Sequence, residues 1–126
     1  MNMRLGVPTI DSAGNYATHA LFGYNGAVGS TQAVSSTTMI VGAAAGSSQA
    51  ANIFAATVID ILDAFSSTKN KTTRSLSGIG NTSTNGLIEL ESGHWRNTGS
   101  LQTIEILSVG SSFASGSRFS LYGIKG

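Results

Sequence analysis

Apolar and polar positions alternate with a period of two along most of the second half of this chain. Over Gln102–Ser108, Ile104 and Ile106 are set against Thr103 and Glu105. Over Leu87–Arg96, Ile88 and Leu90 are set against Glu89 and Glu91. Thr72–Ile79 places Arg74 and Leu76 on one face, and Arg118–Ile124 places Phe119 and Leu121 on the core side with Tyr122 opposite. In the first half, Tyr16–Tyr24 sets Ala17, His19 and Leu21 against Thr18, Ala20 and Phe22. A period of two predicts half-buried strands. β-branched Thr37, Thr38, Ile40 and Val41 add a strand over residues 37–45, whereas the Gly- and Ser-rich stretch 26–36 reads as an extended loop. Residues 52–65 fit two periods. Phe54, Val58, Ile61, Leu62 and Phe65 form a helical stripe, but β-branched Thr57, Val58, Ile59 and Ile61 favour a strand.

Turn residues separate these runs at 66–71, 80–86, 97–100 and 110–117. The result is about seven or eight short strands spaced as in an antiparallel sandwich or barrel. No repeat of fixed period occurs, which argues against a solenoid or propeller. The predicted class is an all-β antiparallel sandwich with an extended N-terminal segment. Residues 1–50 form an arm and first strands packed on the sandwich, and 51–126 form the rest of one domain.

Composition narrows the picture. Ser, Thr and Gly make up 48 of 126 residues, and charged residues only 10%. Helical bundles and coiled coils need a different alphabet. A net charge of +1 argues against electrostatic binding of nucleic acid. The absence of Cys excludes disulfides and thiolate metal sites. No apolar run has the length of a membrane span or a signal sequence, so neither a membrane nor a leader is expected. Between Arg4 and Asp60 only Asp11 is charged, and a surface so poor in charge suits a chain packed in an assembly.

Catalytic chemistry has little support. His19 and His94 lack the spacing of a metal site. Glu89 and Glu91, like Asp60 and Asp63, are sequence neighbours and not carboxylates facing each other across a cleft, so they read as solvated. Lys69–Arg74 has three charges and no interleaved aromatic, so it reads as a solvated hairpin loop. Of the aromatics, Tyr16, Phe22 and Tyr24 suit the core, and Trp95 is the candidate for exposure. No Gly-x-Ser-x-Gly elbow is present. No enzyme activity and no cofactor are expected.

Three runs carry a resemblance: Glu91-Ser92-Gly93-His94-Trp95-Arg96-Asn97-Thr98, Gln102-Thr103-Ile104-Glu105-Ile106, and Phe113 through Ile124. In this order they resemble the C-terminal β-sandwich of tailed-bacteriophage structural proteins, and Ile59–Leu62 followed by Lys69–Thr72 fits the same pattern. The resemblance spans about residues 57–126. It implies a jelly-roll-like, usually trimeric, virion protein: a capsid decoration (cement) protein, a head fibre or a tail-associated receptor-binding protein.

The expected function is therefore a trimeric decoration protein on the capsid exterior, assembled in the host cytoplasm. Its expected partners are copies of itself and the major capsid protein. The short chain without a shaft repeat, beginning with its own Met, fits a small whole gene product of this kind. The alternative is a receptor-binding or fibre tip whose loops 66–71, 80–86 and 110–117 recognise host surface glycan. A glycan-processing enzyme is the third reading. The expected assembly contacts are Asn2, Arg4, Leu5 and Val7 in an N-terminal arm reaching a neighbour, with Trp95, Arg96, Arg118 and Tyr122.

Overall fold

The computed structural model describes residues 1–80 and 86–124. Among them are eight strands and no helix: β1 (Asn2–Gly6), β2 (Tyr16–Tyr24), β3 (Ala27–Ser36), β4 (Met39–Ile40), β5 (Ala55–Leu62), β6 (Lys71–Ile79), β7 (Leu87–Trp95) and β8 (Thr103–Leu107). They form two antiparallel sheets, of order β4-β1-β8 and β3-β2-β7-β6-β5. The protein is an all-β sandwich. The ambiguous stretch 52–65 contains a strand, as its β-branched run predicts. The expected turn at 80–86 falls mostly on residues outside those described.

Residues 27–36, read as a loop, are instead the edge strand β3. Asn25-Gly26 is a two-residue turn with φ of 51° and 77°, closed by the pair Tyr24–Ala27. Asn-Gly favours this geometry because both central residues need positive φ, which sets two strands in register. An edge strand is paired on one side only, so small residues suffice. Gly29 leaves room for the Phe22 ring, whose tip would lie 2.7 Å from a Cβ there and would have to shift.

The N-terminal residues also differ from expectation. Asn2–Gly6 is not an arm but the central strand of the smaller sheet, paired to β4 and β8. Met3 and Leu5 lie in the core with Tyr16, Met39, Val41, Trp95 and Leu101. A strand over 37–45 is realised only at Met39–Ile40. Gly42 then takes φ of 124°, and the chain crosses the large sheet without pairing as a strand.

Trp95 sets the facing of the large sheet. It is buried, not exposed as expected, and stacks on Tyr16 with ring centroids 6.2 Å apart and planes 12° apart. With Trp95 inward, the period of two turns Gly93, Glu91 and Glu89 inward and Ile88 and Leu90 outward. Gly93 faces Met39 and Thr73 so closely that a Cβ would collide with both. Ile104 and Ile106 pack against the core from β8, as their alternation predicts.

The closing strand expected at Arg118–Ile124 is absent. After the Ser117 N–H bonds the Ala114 carbonyl, residues 118–124 make no hydrogen bond to any described residue. Phe119 keeps an edge-on contact with Phe113, at 5.1 Å. Leu121, expected in the core, is 82% exposed.

Candidate assembly surface

The outer face of the large sheet is apolar. Register places Leu21 beside Leu90, Leu90 beside Leu76, and Leu76 beside Val58, a ladder across four strands. These side chains are 52%, 54%, 56% and 68% exposed along that row. The next row adds Val28, Gly23, Ile88 and Gly78, and Leu62 lies further along β5; Val28, Ile88 and Leu62 are exposed. Leu21, Phe22, Gly23, Val28, Leu76, Ile88 and Leu90 line a shallow depression of about 260 Å³. Strand spacing and residue rise give the two rows a plan area on the order of 300 Å². That is the lower end of the range, about 300–600 Å², of the largest apolar patch on a typical monomer, a patch that is often functional. The bordering row is polar: Gln32, His19, Ser92, Arg74 and Asp60. Arg74 donates to Asp60 at 2.8 Å across this exposed edge, an ion pair of small energetic consequence.

The inner face of the same sheet is polar. Thr18, Lys71, Thr73, Ser75, Ser77 and Glu91 are all buried. Hydroxyls here fasten the crossing segment 40–43. Thr18 Oγ1 accepts the Ile40 N–H at 3.1 Å, Ser77 Oγ accepts the Ala43 N–H at 3.0 Å, and Thr57 donates to the Ala43 carbonyl at 2.8 Å. The Met1 ammonium donates to the Gly42 carbonyl at 2.6 Å. Burial lowers the pKa of this ammonium against the opposing pull of Glu89 and Glu91.

Glu91 was expected on a solvated face but is 2% exposed. Its Oε2 accepts from Ser75 Oγ at 2.6 Å, while Oε1 has no partner. Burial raises its pKa above the usual carboxylate value. The Ser75 bond and the Met1 ammonium oppose that rise, and Glu89 adds to it. Lys71 is likewise buried, not part of a solvated loop. Its Nζ donates to the carbonyls of Ser66, Lys69 and Thr98 at 2.8, 2.8 and 3.2 Å. Among the described residues no group of three His, Asp or Glu could hold a metal.

The expected contact residues do not converge. Asn2 donates to Thr38 Oγ1 at 2.9 Å, and Arg4 pairs with Glu105 at 3.3 Å. Leu5 and Trp95 are wholly buried within the chain, so their side chains face its own core and not another subunit. Val7 packs partly against that core. Arg96 is exposed and donates to the Gly14 carbonyl. Only Arg118 and Tyr122 share a free element, the C-terminal segment. The outer-face ladder went unassigned because alternation reveals two faces without saying which is buried.

No family model, no curated protein and no solved structure matches the chain. No helix is long and apolar enough to cross a membrane among the described residues.

Proposed function

We propose that this protein is a phage virion component of the trimeric capsid decoration type. Its low-charge surface packs against copies of itself and against the major capsid protein on the capsid exterior. The observation that supports this most is the apolar outer face of the large sheet, where seven aliphatic side chains (Leu21, Val28, Val58, Leu62, Leu76, Ile88 and Leu90) stand exposed. A face of this kind gains free energy only when another surface covers it. The sequence resemblance over residues 57–126 supplies the virion context. Its closing segment is an unpaired tail with Tyr122 exposed, available to a neighbour.

The mechanism is mechanical: many modest contacts, repeated over a symmetric shell, add up through multivalency. The glycan-binding alternative draws no support from loop 66–71. Ser66 Oγ accepts the Thr68 and Lys69 N–H groups, Lys69 pairs with Asp63, and Lys71 is buried, so Ser66, Lys69 and Lys71 are engaged within the chain. Quantitative mass spectrometry of purified particles tests the assignment. Hundreds of copies per particle are expected. A copy number of about a dozen, as a ring or fibre at one vertex gives, overturns it.

A further inference from the structure

We infer that residues 118–124 of each copy add as a strand to the free edge of β5 in a second copy of this chain. This deepens the assembly reading by naming a contact, and it rests on that reading only for self-association.

The donor is visible as an open segment. Residues 118–124 contain no Pro, and none of their backbone groups bonds to a described residue. Leu121, Tyr122 and Ile124 are 82%, 82% and 92% exposed, and Phe119 is exposed as well. Extended, the segment would reach about 23 Å. Side chains would then alternate, Phe119 and Leu121 to one face and Tyr122 and Ile124 to the other.

The acceptor is equally open. Among the described residues β5 pairs with β6 alone, and no backbone hydrogen bond outside that pairing involves residues 55–62. Its eight residues run about 26 Å, which matches the donor. Val58 and Leu62 flank the edge on the outer face, and Ile59 and Ile61 are half-buried on the inner face. Edge strands are ordinarily guarded by charged side chains, especially Lys, by Pro or by a bulge; β5 has no Lys, Pro or bulge, and its one charged residue, Asp60, is paired with Arg74. The other edges fit worse. β3 is bulged near Ser35 and built mostly of small residues, β8 has five residues and β4 has two.

Placement argues for exchange between copies. The tail leaves the body at Gly116, which packs beside the ring of Phe54, one residue before β5 begins. Along its own β5 the tail would therefore run parallel, the weaker pairing, and it does not do so. Passed from each copy to the next around a three-fold axis, three tails close a ring and leave no β5 edge open.

The test compares the full chain with the double variant Ser120→Pro, Leu121→Pro. Adjacent prolines remove the amide on whichever face meets the acceptor. The expected wild-type mass by light scattering at tens of micromolar is three times the 12.9 kDa chain, with the β5 amides that point away from β6 protected from hydrogen exchange. The variant is expected at one chain mass, with protection of those free-edge amides lost, protection of the amides shared between β5 and β6 kept and an unchanged circular dichroism spectrum. A wild type of one chain mass overturns the proposal, and if its free-edge β5 amides are still protected the tail docks within its own chain. A variant that keeps both mass and free-edge protection overturns it too. Because particle copy number is measured separately, failure here and failure of the virion assignment are distinguishable.

Discussion

Replacing Glu91 with Gln is expected to stabilise this protein at neutral pH and to do little in acid. Glu91 is buried, with one oxygen bonded to Ser75 and the other without a partner. An unpaired buried acceptor costs about 1–3 kcal/mol, more when charged. Gln keeps the volume and the Ser75 bond and removes the charge, but leaves its neutral NH2 group unpaired, at the low end of that range. The net expected gain is about 1 kcal/mol, or roughly 4 °C in Tm for a domain of this size. The pH dependence follows from linkage. Burial raises the Glu91 pKa in the folded state. The native state therefore holds this proton more tightly than the unfolded chain does. Stability contributed by Glu91 is full below the unfolded value of 4.5 and falls as pH rises through the raised folded value. The advantage of Gln should open across that window and then stay constant. Urea unfolding of both proteins from pH 4 to pH 8 measures it. A Glu91→Gln protein that is destabilised at pH 8, or whose difference from wild type is the same at every pH, refutes the reasoning. Either result would mean the carboxylate is effectively paired.

Asp11 titrates in the opposite sense. Burial works to raise its pKa, but hydrogen bonds from Trp95, Asn15 and the Ala13 N–H outweigh burial and lower it. Its contribution is present above 3.8 and lost as pH falls through the lowered folded value. Asp11→Ala should cost about 1–3 kcal/mol at pH 7 by thermal unfolding, and less at pH 3, because it leaves the Trp95 Nε1–H unpaired. Lys71→Met should destabilise by about 1.5–3 kcal/mol in urea, since three carbonyls lose a charged donor. Leu76→Thr with Leu90→Thr should weaken self-association by about 2–3 kcal/mol in sedimentation equilibrium, since two half-exposed leucines lose their cover. Unfolding of the dissociated chain should show a smaller change than the association does.

Much of the strand pattern was legible, and the failures have specific physical causes. β2, β5, β6, β7 and β8 stand out because β-branched and apolar residues alternate between turn residues. β3 was missed because Ser, Thr, Ala and Gly dominate it, although Asn25-Gly26 carried the hairpin signal. β1 was missed because five residues beside Pro8 look like a tail until β4 and β8 are seen to flank them. The facing of β7 could not be read from β7 itself. Glu-in with Leu-out and the reverse have identical periodicity, and only the packing of Trp95 on Tyr16 selects between them. Lys71 looked solvated because its carbonyl partners come from two separate loops. Arg118–Ile124 alternates like a strand, yet alternation does not supply a neighbouring edge to pair with.

The large sheet is inverted relative to what monomer stability alone favours. Beside Tyr16, Trp95, Ile59 and Ile61, its inner face holds hydroxyls, a carboxylate and an ammonium, while its outer face, apart from the row from Gln32 to Asp60, holds aliphatic side chains. The inner hydroxyls have a local cause. Segment 40–43 crosses the sheet with Gly42 in left-handed backbone, so its amides and carbonyls need side-chain partners, which Thr18, Thr57 and Ser77 provide. Nothing among the described residues gives the outer aliphatics a corresponding role. Seven of them, 48–79% exposed, represent about 1 kcal/mol each if covered, and so about 7 kcal/mol per copy. Association costs an estimated 4–15 kcal/mol in lost freedom. One covered face is therefore marginal for a lone pair of copies. It becomes decisive when a second contact, such as the C-terminal segment, holds the same copies together and raises their effective concentration. Low charge belongs to the same design, because an interface of this kind would have to desolvate any charged group at its centre. On the proposed assembly reading, the apolar face, the unpaired tail and the scarcity of charge have one common explanation: a chain whose stability neighbouring copies complete.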